Sequence, residues 1–257
     1  MNVQLLASNS QFSDLSTVHW LILGLSAFLI GISKTGVPGL GILVVPLAAA
    51  VFPSKASTGL ILPMLVIGDI FAVAYYKRHA VWSHLVRLIP WAMIGIVLGA
   101  LAMGKINDVQ LRPVIGGIVL LILIVGYWRN RQRDEGDRIP TQWWFAAFIG
   151  LFAGTTTMLA NAAGPIMAIY LIAMQLPKHE YLGTGAWYFL LMNCFKIPFS
   201  AGQGLITEQS LFINLANTPI LLAGAVAGVF IIKYIPEKLF KEVVQILAAL
   251  AAIYLFI

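Results

Sequence analysis

Three ionisable side chains lie in or beside stretches that are otherwise apolar: Lys34, Asp69 and Lys196. A charge at bilayer depth is costly, and the default reading of one is functional. An ammonium group there attracts an anion. A carboxylate there either carries a coupling proton or pairs with a lysine. Lys34 is read as part of an anion site or as an interfacial charge that sets topology. Lys196, in Asn193-Cys-Phe-Lys-Ile-Pro198, either faces a site or snorkels outward. Asp69 is matched by Asn193, 124 positions further on, and coupling or pairing is the role expected of these two.

The richest chemistry lies in two turns. The first reads Gly31-Ile-Ser-Lys-Thr-Gly-Val-Pro-Gly-Leu-Gly41 and the second Gly154-Thr-Thr-Thr-Met-Leu-Ala-Asn-Ala-Ala-Gly-Pro165. Each mixes small and hydroxyl residues and then opens a short apolar helix near a proline, which suits the first helical position. Thr35 and Asn161 read as N-caps or near-caps. Each turn would therefore offer unpaired amides and a positive dipole end to an anion. The expected substrate-binding set is Ser33, Lys34, Thr35, Gly36 and Gly39 from the first turn, and Thr155, Thr156, Thr157, Asn161 and Gly164 from the second, with Lys196. The competing reading is structural: glycines let helices pack and hydroxyls bond to nearby backbone.

These turns sit in a chain written twice. Pro53 and Gly59 recur as Pro177 and Gly183, 124 positions on, while Pro90, Gly95 and Gly99 recur as Pro219, Gly224 and Gly228, 129 positions on. The paired Gly-xxx-Gly spacings read as ridges for close helix approach. Apolar segments are expected at 17–33, 37–52, 57–76, 85–104 and 110–128, then at 142–157, 162–176, 183–200, 211–232 and 240–257. The first two of each half are short and suit hairpins that penetrate without crossing. An odd number of crossings per half turns the second copy upside down. The fold class expected is an all-α integral membrane protein, with about eight to ten transmembrane or re-entrant helices in two inverted-topology repeats. The organisation is a first membrane repeat at 1–128, a basic cytoplasmic linker at 129–141 and a second repeat at 142–257.

Composition agrees. Of 257 residues, 60% are hydrophobic and 10% charged, with mean hydropathy +0.90. A soluble domain carries about 25% charged residues. The net charge of +6 does not point to nucleic acid, because most Lys and Arg fall in short loops that set orientation. Placing the arginines of 129–138 in the cytoplasm puts both termini outside. No cleaved leader is read before the first apolar run. One cysteine, Cys194, rules out a disulfide framework within the chain. The histidines His19, His79, His84 and His179 lie near span ends without metal-site spacing. No metal and no cofactor are expected.

At these residues the chain resembles the TauE/SafE group of membrane permeases, also called TSUP. The resemblance rests on Gly36–Gly41 followed by Val44-Val-Pro46, on Asn161 with Gly164-Pro165, and on the paired Pro-x5-Gly spacings. It covers nearly the whole chain, although Ser33-Lys-Thr35 stands where many relatives are more purely glycine-rich. It implies transport of small anions, often sulfur oxyanions or organosulfonates, with sulfite export the best-known activity. The expected partners are a small anionic substrate, the lipid bilayer of a bacterial inner membrane and a coupling proton. The alternatives are an anion channel and an intramembrane enzyme. The second needs clustered catalytic groups at depth, and the peripheral histidines and scarce acids supply none.

Overall fold

A computed structural model describes residues 15–38, 40–49, 51–52, 54–103 and 143–254. Among them all regular structure is helical. In chain order the elements are α1 (Thr17–Thr35), a 3-10 turn (Leu40–Leu43), α2 (Val44–Ala49), α3 (Ser54–Tyr76), a second 3-10 turn (Lys77–His79) and α4 (Trp82–Ala102). After the undescribed stretch come α5 (Trp143–Ala160), α6 (Ala163–Ala173), α7 (Lys178–Gly202), α8 (Glu208–Tyr234) and α9 (Glu237–Tyr254). The expected segment at 110–128 and the linker at 129–141 lie outside the described residues.

Among the described residues five helices are long and apolar enough to cross a membrane: α1, α3 with the turn after it, α4, α5 and α8. The protein is a multi-pass membrane protein. Helix α7 has 25 residues but a more polar sequence. Its polar side chains Thr184, Asn193, Lys196 and Ser200 are all buried in protein, so lipid never meets them. Pro63, Pro90, Pro198 and Pro219 all lie inside helices that continue past them.

The pairing of two short segments in each half needs correction. Helices α1 and α5 have 19 and 18 residues, about 28 and 27 Å at 1.5 Å per residue, enough to cross. Only the second members are short, six residues in α2 and 11 in α6. Helix α6 is buried along almost its whole length. A half-length helix at membrane depth needs such protein cover, because its exposed backbone ends would find no water in lipid.

The repeat is visible contact by contact. Helix α1 packs on α8, and its counterpart α5 packs on α4, the counterpart of α8. A methyl group added at Gly31 would lie 2.2 Å from the Leu221 carbonyl oxygen; at Gly154 it would lie 2.0 Å from that of Ala92. These are the same contact twice, with α1 and α5 offset by 123 positions and α4 and α8 by 129. Gly95 against Leu151 and Gly224 against Phe28 form a second such couple, each 2.2 Å from a carbonyl oxygen. Only glycine permits backbones this close.

Helices α3 and α7 are counterparts that pack on each other. They run antiparallel: Gly59 lies beside Leu205, Asp69 meets Asn193, and Gly183 lies beside Tyr76 and His79. Two equivalent helices can pack antiparallel about a twofold axis only if that axis is perpendicular to both. Helix α3 crosses the bilayer, so the axis lies in the membrane plane and the halves are inverted.

Candidate functional site

A cavity of about 110 Å³ lies between the two halves. Its polar wall is Ser33 and Lys34 at the end of α1, Thr157 and Asn161 at the end of α5, and Asn193 in α7. Its remaining wall is apolar or small, with Leu65 of α3, Gly164 to Leu171 of α6 and the Tyr181–Phe189 face of α7.

The pseudo-twofold axis passes beside this cavity. Asn193 donates from Nδ2 to Asp69 Oδ2 at 2.6 Å. These two residues occupy the same place in the two copies, so their contact marks the axis. On the other oxygen of Asp69, Lys34 Nζ makes an ion pair at 2.6 Å. The same ammonium stands 4.4 Å from the centre of the Phe189 ring, a cation–π contact. Asp69 is fully buried, whereas the Lys34 side chain keeps 12% of its surface open and lines the cavity. Lys34 is therefore held from two sides and still presents charge to the hollow.

Lys196 lies behind the wall. It is fully buried and donates to the Thr157 carbonyl oxygen at 2.9 Å, with Thr157 Oγ1 at 3.5 Å and Asn161 Oδ1 closing the set. Three oxygen acceptors match the three hydrogens of an ammonium group. It does not snorkel outward. Asn161 also donates from Nδ2 to the Thr58 carbonyl at 3.1 Å, tying the second turn to α3 of the first half. Its backbone has φ 53, the left-handed region that asparagine tolerates better than most residues. That conformation turns the chain sharply from α5 into α6.

Of the residues expected from sequence, Ser33, Lys34, Thr157, Asn161, Gly164 and Asn193 meet at the cavity. Lys196 and Asp69 stand directly behind them. Thr35, Gly36, Thr155 and Thr156 point elsewhere. Thr35 ends α1 and is not an N-cap: its one hydroxyl hydrogen goes to Ala225 O at 2.6 Å, with Gly31 O at 3.1 Å as the alternative acceptor, and the first of these fastens α1 to α8. Gly36 packs on Gly228. The Thr155 hydroxyl has Leu151 O at 2.9 Å and Gly95 O at 3.2 Å as acceptors for its one hydrogen, and Thr156 donates to Ala153 O at 3.2 Å. Gly39 lies outside the described residues.

The helix-start idea also changes shape. In the first half the chain resumes as a 3-10 turn and a six-residue helix, too short for a strong dipole. The Ser33 hydroxyl accepts from the Gly41 amide at 3.0 Å, so that turn is tied to α1. In the second half α6 is a true helix, capped by Ala162 with no side-chain hydrogen bond. Asn161 precedes the cap and spends its amide group on Lys196 and Thr58. Beyond Asn193, sequence reading missed the α7 wall. Asn193, Phe189, Gly185 with Ala186, and Tyr181 with Leu182 recur every four residues, one face of a helix. Taking Asn193 as an anchor and stepping back by four would have found it.

Neither a curated protein nor a solved structure matches the chain. The family model of the sulfite exporter TauE/SafE does, from residue 23 to residue 255. That run takes in both inverted halves and every residue of the cavity wall, so the chain belongs to the sulfite exporter TauE/SafE family of membrane transporters.

Proposed function

We propose that the protein is a secondary transporter of a small anion, a sulfur oxyanion or an organosulfonate, and that the anion rests in the cavity between the halves. The observation that carries this reading is Lys34. Its ammonium group borders a hollow built from both halves, at the pseudo-twofold axis. A cavity of about 150 Å³ is known to accommodate benzene, so 110 Å³ suits an anion of four to six heavy atoms. The hydroxyls of Ser33 and Thr157, both on the cavity wall, can donate to it.

Inversion gives the transport cycle. If one half rocks against the other, the contacts made by each copy are exchanged, and the cavity opens first to one side and then to the other. The energy comes from a gradient, for which we propose the proton gradient. The test is uptake of labelled sulfite into proteoliposomes holding the purified protein. Saturable, protein-dependent flux that a pH gradient accelerates is the expected result. Flux that does not saturate points to a channel. No flux for sulfite, thiosulfate, sulfoacetate or taurine sinks the carrier reading.

A further inference from the structure

We infer that Lys196 carries the coupling proton, and that the Thr157 hydroxyl links that proton to the anion. This rests on the proton-driven anion-carrier reading of the cavity. Among the described residues, every oxygen around the Lys196 ammonium is neutral: the Thr157 carbonyl at 2.9 Å, Thr157 Oγ1 at 3.5 Å and Asn161 Oδ1. A buried ammonium group with no counter-ion beside it can shed its proton and leave no unpaired charge behind. Asp69 is placed differently. Lys34 meets one of its oxygens and Asn193 donates to the other, each at 2.6 Å. A proton on either oxygen would face a donor, so Asp69 stays a carboxylate and Lys34 stays its cation.

Thr157 joins Lys196 to the hollow. It lines the cavity, and its hydroxyl, unlike those of Thr35, Thr155 and Thr156, has no backbone acceptor among the described residues. A hydroxyl has one hydrogen to give. When Lys196 is an ammonium group it donates to Thr157 Oγ1, and the Thr157 hydrogen is left for an anion. When Lys196 is a neutral amine its lone pair takes that hydrogen, and the anion loses a partner. Proton and anion therefore favour each other and cross together. In loading, the Thr157 oxygen takes a hydrogen from the cavity while its own passes to Lys196 Nζ. Release runs the same step backwards.

The charged groups that act on Lys196 are Lys34 of α1 and Asp69 of α3. Helices α5 and α6 carry no Lys, Arg, Asp, Glu or His. On α4, His84 and Arg87 lie by Glu180 at the start of α7, about 24 Å along that helix from Lys196. Tyr170 of α6 meets His84 at the same far end. On α7 itself, Tyr188 lies about two turns away and Cys194 is exposed. His19 of α1 and Lys55, Tyr75 and Tyr76 of α3 stand toward the ends of their helices.

The test is calorimetric titration of thiosulfate and methanesulfonate into purified protein, in buffers of different ionisation enthalpy. Neither anion titrates near neutral pH, so any proton taken up goes to the protein. At alkaline pH the wild type should take up close to one proton per anion bound. Its affinity should fall there by about tenfold per pH unit. Lys196→Arg keeps a fixed charge. It should bind without proton uptake, and its flux should ignore a pH gradient. Thr157→Val should bind more weakly and take up far fewer protons, while Thr157→Ser restores both. A lysine with a structural role alone would change affinity and leave the proton count at its wild-type value. No proton uptake by the wild type overturns the inference and leaves an anion carrier standing. Uptake that persists in Lys196→Arg places the proton elsewhere and overturns it as well. No binding of either anion sinks this inference, and absence of sulfite flux besides sinks the carrier reading with it. The wild-type count and the two Thr157 variants decide the matter even if Lys196→Arg does not fold.

Discussion

At the scale of single residues, the site is a balance between a stable ion pair and an available cation. Lys34 and Asp69 stabilise each other in a place where either alone is expensive, and removing one partner of a buried pair costs about 3–5 kcal/mol. Lys34→Met should therefore lower both the amount of folded protein and the flux. The double variant Lys34→Met with Asp69→Asn removes both charges. It should restore monodisperse behaviour in detergent but not anion uptake, which is the outcome that separates a transport role from a folding role. Recovery of uptake in the double variant would show that Lys34 serves only to neutralise Asp69. The sequence marked these two residues as unusual, since charged side chains in an apolar run stand out. It did not show that they meet, because their contact depends on how α1 packs against α3.

At the scale of elements, glycine placement explains why the helices pair as they do. Gly31 and Gly154 bring their helices against carbonyl oxygens in the same way in each half. Gly31→Ala and Gly154→Ala should each lower stability by about 1–3 kcal/mol, seen as similar falls in the thermal midpoint of purified protein. Gly164→Ala should leave that midpoint unchanged, because nothing lies within 4 Å of the added methyl. A large fall for Gly164→Ala, or none for Gly31→Ala, contradicts this packing. Spans were legible where apolar runs are long, and α3, α4 and α8 fell within a few residues of expectation. Helix α7 was read as 183–200 and runs Lys178–Gly202, because its buried polar face does not look like a lipid-facing span. The hydroxyls of Thr35 and Thr155 were assigned to an anion but bond to backbone across helix pairs. Composition alone cannot tell these uses apart, since a threonine at a turn serves either.

At the scale of the whole molecule, inversion is a statement about sides of the membrane and can be measured as one. His79, in the turn just before α4, and Glu208, the first residue of α8, are counterparts 129 positions apart, and both are exposed. In a Cys194→Ser background, His79→Cys and Glu208→Cys should react with an impermeant maleimide from opposite faces of the membrane. Labelling of both from one face would mean that the two copies are parallel. The duplication itself was legible from prolines and glycines, because a residue chosen for backbone geometry survives where side chains have diverged. The location of the axis was not legible, since it depends on which equivalent residues touch.

That touch, between Asp69 and Asn193, has a consequence for how such a protein can arise. Had two identical chains assembled in this way, symmetry would have forced the same group against its own image. Two carboxylates 2.6 Å apart repel, whereas two amides can trade hydrogen bonds. Joining the copies into one polypeptide lifts that restriction. One position is then free to become acidic while its twin remains neutral, and a lopsided charge can settle at the centre of an otherwise even-handed scaffold.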